Sequence, residues 1–222
     1  MTLTIVTSHW KEDLEWLKKC THDVVVIDKE GSAPCCFVPH ATIPNVCGET
    51  LVYLKYIIDY WDNLPDVVAF IHGHEFSYHQ KHPIHILDLI DRLDVKRYIS
   101  LNGTWRMIPI HSKPDEPDVK IQKFWHLIEP IAGPCPYTNG IACANSQFMV
   151  RREHIRRNPL ELYKTWYNKV IENKTIEIQI FFEYTWHVIF GEQWTMNLQP
   201  FLPLTPGPIE LRPNVIQEMH IP

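Results

Sequence analysis

The chain has no run of eighteen or more apolar residues, so no membrane-spanning helix is expected. Nor does its amino end carry a charged segment followed by an apolar one. "MTLTIVTSHW" reads at once as a strand, so no signal peptide is expected and the protein is assigned to the cytoplasm. A basic face is missing as well. The net charge is −5, and lysine and arginine are scattered apart from "RREHIRR", which excludes a surface that tracks a phosphate backbone and with it nucleic acid as a partner. Glycine is scarce at eight residues, and neither the dinucleotide nor the P-loop glycine fingerprint occurs. The six cysteines (Cys20, Cys35, Cys36, Cys47, Cys135 and Cys143) form no CxxC pair, and two of them are adjacent. That suits neither a zinc ribbon nor a disulfide framework and points to free thiols in a reducing compartment.

What is present suffices for a full core: 45% of residues are hydrophobic and 21% charged. "LTIVTSHW" reads as a strand, "KEDLEWLKKC" as a helix and "DVVVIDKEG" as a second strand ending in polar residues and glycine. After a proline- and cysteine-rich loop, "GETLVYLKYIIDYWDNL" places Leu51, Leu54, Ile57, Ile58 and Trp61 at spacings of three and four, which predicts a core-facing helix. "VVAFI" then returns as a strand. This alternation predicts an α/β fold with a central, mostly parallel twisted sheet flanked by helices. Downstream, helices are predicted in "HPIHILDLIDRLD", "KIQKFWHLIEPI" and "EIQIFFEYTWHVIFGE", a strand in "KRYISLNG", a short strand turning into a helix in "SQFMVRREHIRRNPLELYKTWYNKVIEN", and a loop from Arg106 to Pro117. One domain is expected over residues 1–200. The proline-rich stretch 201–222 is expected to be an extended tail or a linker to a further domain.

Polar residues gather where the predicted strands end. Thr7, Ser8 and His9 follow the first strand and Asp28 and Lys29 the second. His72, His74 and Glu75 follow "VVAFI", with His79, His82 and His85 beyond them as lining of a polar loop. In an α/β sheet such ends open onto the ligand crevice. His72 and His74 alternate onto one side of an extended chain, where imidazole and carboxylate suit a divalent transition metal. Asn45 and Gly48 precede the long helix, whose free backbone N–H groups favour a phosphate.

The segments "SHWKEDLEWL", "IDKEG", "IPNVCGETLVYLKYIIDYWDNLPDVVAFIHGHE", "NSQFMVRREHIRRNPLELY" and "FEYTWHVIFGE", in this order, resemble a small glycosyltransferase-like family with the GT-A fold. That family includes the N-terminal glycosyltransferase domain found in large chlorella viruses, which acts on capsid glycans. The resemblance runs from His9 to Glu192 and implies a GT-A-like α/β/α sandwich. It also implies transfer of a hexose or deoxyhexose from a UDP-sugar to a glycan or glycoprotein acceptor, in a host cell's cytoplasm if the protein is viral. "HGH" stands where such enzymes carry Asp-x-Asp. On this resemblance Thr7, Ser8, His9, Asp28 and Lys29 would hold uridine, and Asn45 and Gly48 would approach the sugar diphosphate. His72, His74 and Glu75 would border Mn2+ or Mg2+. Arg151 would stabilise the leaving diphosphate, Glu183 at the start of the last helix would take the acceptor proton, and His187 one turn later would assist it or bind the metal. Two other classes use the same residues: a metal-dependent hydrolase, and a non-catalytic nucleotide-sugar-binding module.

Overall fold

The structure is a computed structural model that describes residues 1–77, 80, 84–102, 106–108, 120–143 and 145–196. His79, His82, most of the stretch 106–117 and the tail 201–222 lie outside the described residues.

The first strand, β1 (Leu3–His9), is followed by a 3-10 turn (Glu15–Lys19) and then β2 (Asp23–Lys29) and β3 (Ala41–Ile43). Helix α1 (Gly48–Asp59) leads through a second 3-10 turn (Trp61–Asn63) into β4 (Val67–Ile71). Next come α2 (Ile86–Arg92), β5 (Tyr98–Ser100), β6 (Arg106–Ile108), α3 (Lys120–Phe124), a 3-10 turn (Trp125–Leu127), α4 (Glu129–Ala132) and β7 (Gly140–Ala142). The described chain closes with β8 (Phe148–Arg151), α5 (Arg152–Ile155), α6 (Leu160–Asn173) and α7 (Ile176–Ile189).

Six strands form one sheet in the order β3-β2-β1-β4-β8-β5. β1 pairs in parallel with β2 and β4, and β2 with β3, while β8 runs antiparallel to both β4 and β5. Five strands therefore point one way and β8 alone points back. The mostly parallel α/β sheet flanked by helices is as expected.

Both faces are covered, so β4 is apolar throughout instead of alternating with polar residues. Its side chains divide between the two layers with the strand period of two. Val68 and Phe70 join the core under α1, α6 and α7, whereas Val67, Ala69 and Ile71 join the core of Leu14, Trp16 and α2. Buried in full, a side chain such as Phe70 contributes roughly 1.5–3 kcal/mol. Helix α1 lies between the sheet and α6 and α7, which is why its buried residues include neighbours as close as Leu51, Val52, Tyr53 and Leu54.

Two expectations need correction. "KEDLEWLKKC" forms only a 3-10 turn, because Asp13 and Glu12 hold backbone N–H groups of the loop: Glu15 N–H donates to Asp13 Oδ1 at 2.9 Å and Trp10 N–H to Glu12 Oε2 at 2.7 Å. The stretch expected as a loop from Arg106 contains β6, which pairs antiparallel with β7 in a separate two-stranded ribbon. Among the described residues no helix is long and apolar enough to cross a membrane.

Candidate functional site

The chain order turns about β1: β2 and β3 lie on one side of it and β4 on the other. Such a switch point opens a crevice at the carboxyl edge of the sheet. That edge carries the ends of β1, β2, β4 and β5 and, because β8 runs backwards, the amino end of β8.

The β1 end is closed over. Thr7, Ser8 and His9 are buried, and His9 Nδ1–H donates to Asp28 Oδ1 at 2.9 Å. The loop after β2 folds back onto them, with Ala33 N–H donating to Trp10 O at 2.6 Å and Ser32 Oγ–H to Asp28 Oδ2 at 3.2 Å. Three of the residues expected at uridine are thus packed under this loop. Lys29 is also buried, while Asn45 is exposed.

At the β4 end, Gly73 is pressed against β1. A Cβ there would lie 2.8 Å from Ser8 O and 3.1 Å from Glu12 Cγ, so only glycine allows this approach. The turn separates the two histidines. His72 is partly buried beside Glu49 and Lys29, whereas His74 is exposed with Nε2 4.0 Å from Glu12 Oε1. Glu75 turns elsewhere, to His85 Nε2 at 3.3 Å and Lys19 Nζ at 4.0 Å. His85 also caps α2, its Nδ1 accepting from Leu87 N–H at 3.3 Å. The expected ligand set His72, His74 and Glu75 therefore does not converge on one point. Among the described residues, the set of three or more ligand atoms lying within 4.8 Å of one another is His9, Asp28 and Cys35.

α1 begins in unusual backbone. Cys47 (φ 53°) and Gly48 (φ 50°) are successive left-handed residues, and a Cβ on Gly48 would lie 2.7 Å from Gln179 Nε2 of α7. Glu49 in the first turn is coupled to its neighbours. Burial works to raise its pKa, but the charges of His72 and Lys29 outweigh burial and hold the carboxyl below its usual range. Burial likewise pushes His72 down, against the upward pull of the Glu49 carboxylate. From α7, Glu183 Oε1 accepts from Gln179 Nε2 at 3.1 Å. Tyr53 lies near both acids: burial raises its pKa well above the ordinary value, and the Glu49 and Glu183 carboxylates raise it further.

Tyr53 reaches across to the segment before β8 and donates to Ser146 O at 2.7 Å. Asn145 (φ 86°) and Ser146 (φ 52°) are again successive left-handed residues, and Asn145 Nδ2 and Ser146 Oγ are buried without a hydrogen-bond partner. Gln147, fully buried, ties this edge together. Its Oε1 accepts from His72 N–H and Gln80 Nε2, both at 3.1 Å, and its Nε2 donates to Asn102 Oδ1 at 3.2 Å. Charge couplings and hydrogen bonds thus join His72, Glu49, Lys29, Glu183 and Tyr53 with the polar triplet 145–147 at this end of the sheet.

Residues 4–199 match the model of a family described as protein of unknown function, DUF3431. The chain belongs to the DUF3431 family. No curated protein and no solved structure matches it.

Three expected placements are corrected in this DUF3431 chain. Arg151 lies at the opposite edge of the sheet, opposite Val67, where Nε donates to Glu153 Oε1 at 2.7 Å and Nη1 to Val95 O at 3.3 Å. It cannot reach a ligand at the carboxyl edge. Glu183 stands in the middle of α7 and not at its start, so stabilising the helix dipole is not its role. His187 is buried against Trp194, Nε2–H donating to Trp194 O at 3.2 Å, and is not positioned to assist Glu183. Sequence reasoning missed Glu12, Tyr53 and the triplet 145–147. Of these only "NSQ", three polar residues directly before a strand, left a readable signal.

Burial pushes the His187 imidazole down to about 4 from an ordinary 6.5. Below pH 6.5 the unfolded chain binds a proton here that the folded chain does not. The stabilising contribution is therefore complete above pH 6.5 and is lost as pH falls through about 4, a total on the order of 3 kcal/mol. Urea unfolding at pH 7 and pH 4 should show a smaller difference in His187→Phe than in the unmodified protein. An equal difference in both would refute the assignment.

Proposed function

We propose that the protein is a glycosyltransferase that takes a hexose or deoxyhexose from a UDP-sugar and passes it to a glycan acceptor, on a GT-A-like α/β/α sandwich. The observation that carries this reading is the approach of two carboxylates from different helices, Glu49 and Glu183, to Tyr53 beside the β4 end. Glycosyl transfer needs an anion-binding surface for the leaving diphosphate and a base for the acceptor hydroxyl. The positive dipole end of α1, which carries no side-chain cap, together with Lys29 at the end of β2, suits the first. Glu183, partly exposed and held by Gln179, suits the second. The acceptor proton passes to a Glu183 oxygen as the acceptor oxygen bonds to the anomeric carbon, and the bond to the diphosphate breaks. We read Asn45 and Lys29 as the groups nearest the nucleotide, since His9 and Asp28 are closed under their loop. The sheet order, with one reversed strand between β4 and β5, supports the GT-A-like reading. His72, His74 and Glu75 do not fit a shared manganese or magnesium ion, and no step is routed through one.

The full chain should be incubated with a panel of UDP-sugars, with and without manganese, and UDP release followed. Release of UDP with one sugar is the expected result. Phosphate release from phosphoesters instead would indicate a hydrolase, and nucleotide-sugar binding without turnover a binding module. Either outcome would overturn the proposal.

A further inference from the structure

We propose that His9, Asp28 and Cys35 form a zinc site that clasps the loop after β2 to the carboxyl edge of the sheet. The inference does not depend on glycosyl transfer. The three ligands come from separate segments: His9 ends β1, Asp28 is the second-last residue of β2, and Cys35 lies in the loop that folds back over both. One ligand atom from each lies within 4.8 Å of the others. An imidazole, a carboxylate and a thiol form a mixed nitrogen, oxygen and sulfur set, which favours zinc over magnesium or manganese and suits tetrahedral geometry. The three leave one tetrahedral position for water or a small ligand. His9 is buried, so the ion would be sheltered from solvent on the β1 side. The backbone already brings Cys35 into place. Ala33 is anchored to Trp10 at 2.6 Å and His40 to Val26 at 2.8 Å, and Phe37 N–H donates to Cys35 Sγ at 3.4 Å. Coordination requires the thiolate, so one proton leaves Cys35 for each ion bound.

The test uses cobalt(II) and zinc added to the full chain after treatment with a chelator. Cobalt should give a thiolate-to-metal charge-transfer band that saturates at one ion per chain, and zinc should displace it and raise the melting temperature. Cys35→Ser should abolish the band, and Asp28→Asn should weaken binding by more than the roughly 10–100-fold lost when a partner behind a ligand is removed. Cys36→Ser should leave the band in place. No charge-transfer band in the folded protein, or a band that survives Cys35→Ser, would overturn the proposal. Because Cys35 and Asp28 sit at or beside the loop, these variants test the site without the folding risk of replacing buried His9.

Discussion

Glu183→Gln should lower kcat for glycosyl transfer by about 10²–10⁴-fold, the range lost with a general base, while the affinity for UDP stays unchanged. Glutamine keeps the side chain's size and can still accept from Gln179 through its amide oxygen, so the 3.1 Å contact need not be lost. What disappears is the negative charge and the ability to take a proton. A purely structural Glu183 would respond differently. Its place in the middle of α7 removes any dipole contribution, and a lost exposed charge changes stability by only a few tenths of a kcal/mol. Rates of UDP-sugar turnover with acceptor, measured beside UDP binding, distinguish the two. A near-normal kcat in Glu183→Gln would remove Glu183 from the chemistry and leave the acceptor proton to the leaving diphosphate.

Trp166→Ala should be the most damaging single change to the fold. Trp166 is fully buried on α6, its Nε1–H donates to Leu127 O at 2.8 Å, and its ring meets Tyr163 edge-on at 5.2 Å and Phe182 of α7 at 6.1 Å. Truncation opens a cavity between α6 and α7 and leaves a carbonyl without its donor, at a cost of roughly 3–5 kcal/mol. For a chain of this length that lowers the melting temperature by roughly 6–20 °C. Tyr137→Ala is the control, since Tyr137 is 85% exposed and its removal should stay within about 0.5 kcal/mol. Thermal unfolding of both variants checks this, and a Trp166→Ala melting point within a few degrees of the unmodified protein would contradict the packing described here.

The α6 face was legible because Tyr163, Trp166 and Val170 recur at helical spacing, and all three are fully buried. The strand ends were legible for a similar reason, since "VVAFI" is apolar throughout and then stops abruptly at His72. The ribbon of β6 and β7 was not. Each strand has three residues, and their pairing joins segments far apart in the chain, a distance over which local pattern carries no information. Glu183 and His187 are one turn apart and share a helical face in sequence, yet they have different surroundings. The chain after α7 folds back, with Glu192 N–H donating to His187 O and Met196 N–H to Ile141 O, each at 2.9 Å, and Trp194 covers His187 while Glu183 stays partly exposed.

The sequence alone determined that the chain builds an apolar sheet covered by helices and that polar residues follow its strands, because burial periodicity and strand length are local properties of the chain. It did not determine which way β8 runs. A four-residue apolar strand reads the same in both directions, and only pairing with β4 and β5 decides its sense. That choice carried Arg151 to the far edge of the sheet and brought Asn145, Ser146 and Gln147 to the crevice in its place. The His72, His74 and Glu75 cluster was likewise separated by the close approach of Gly73 to β1, a contact between backbones distant in sequence, while the same folding brought His9, Asp28 and Cys35 together.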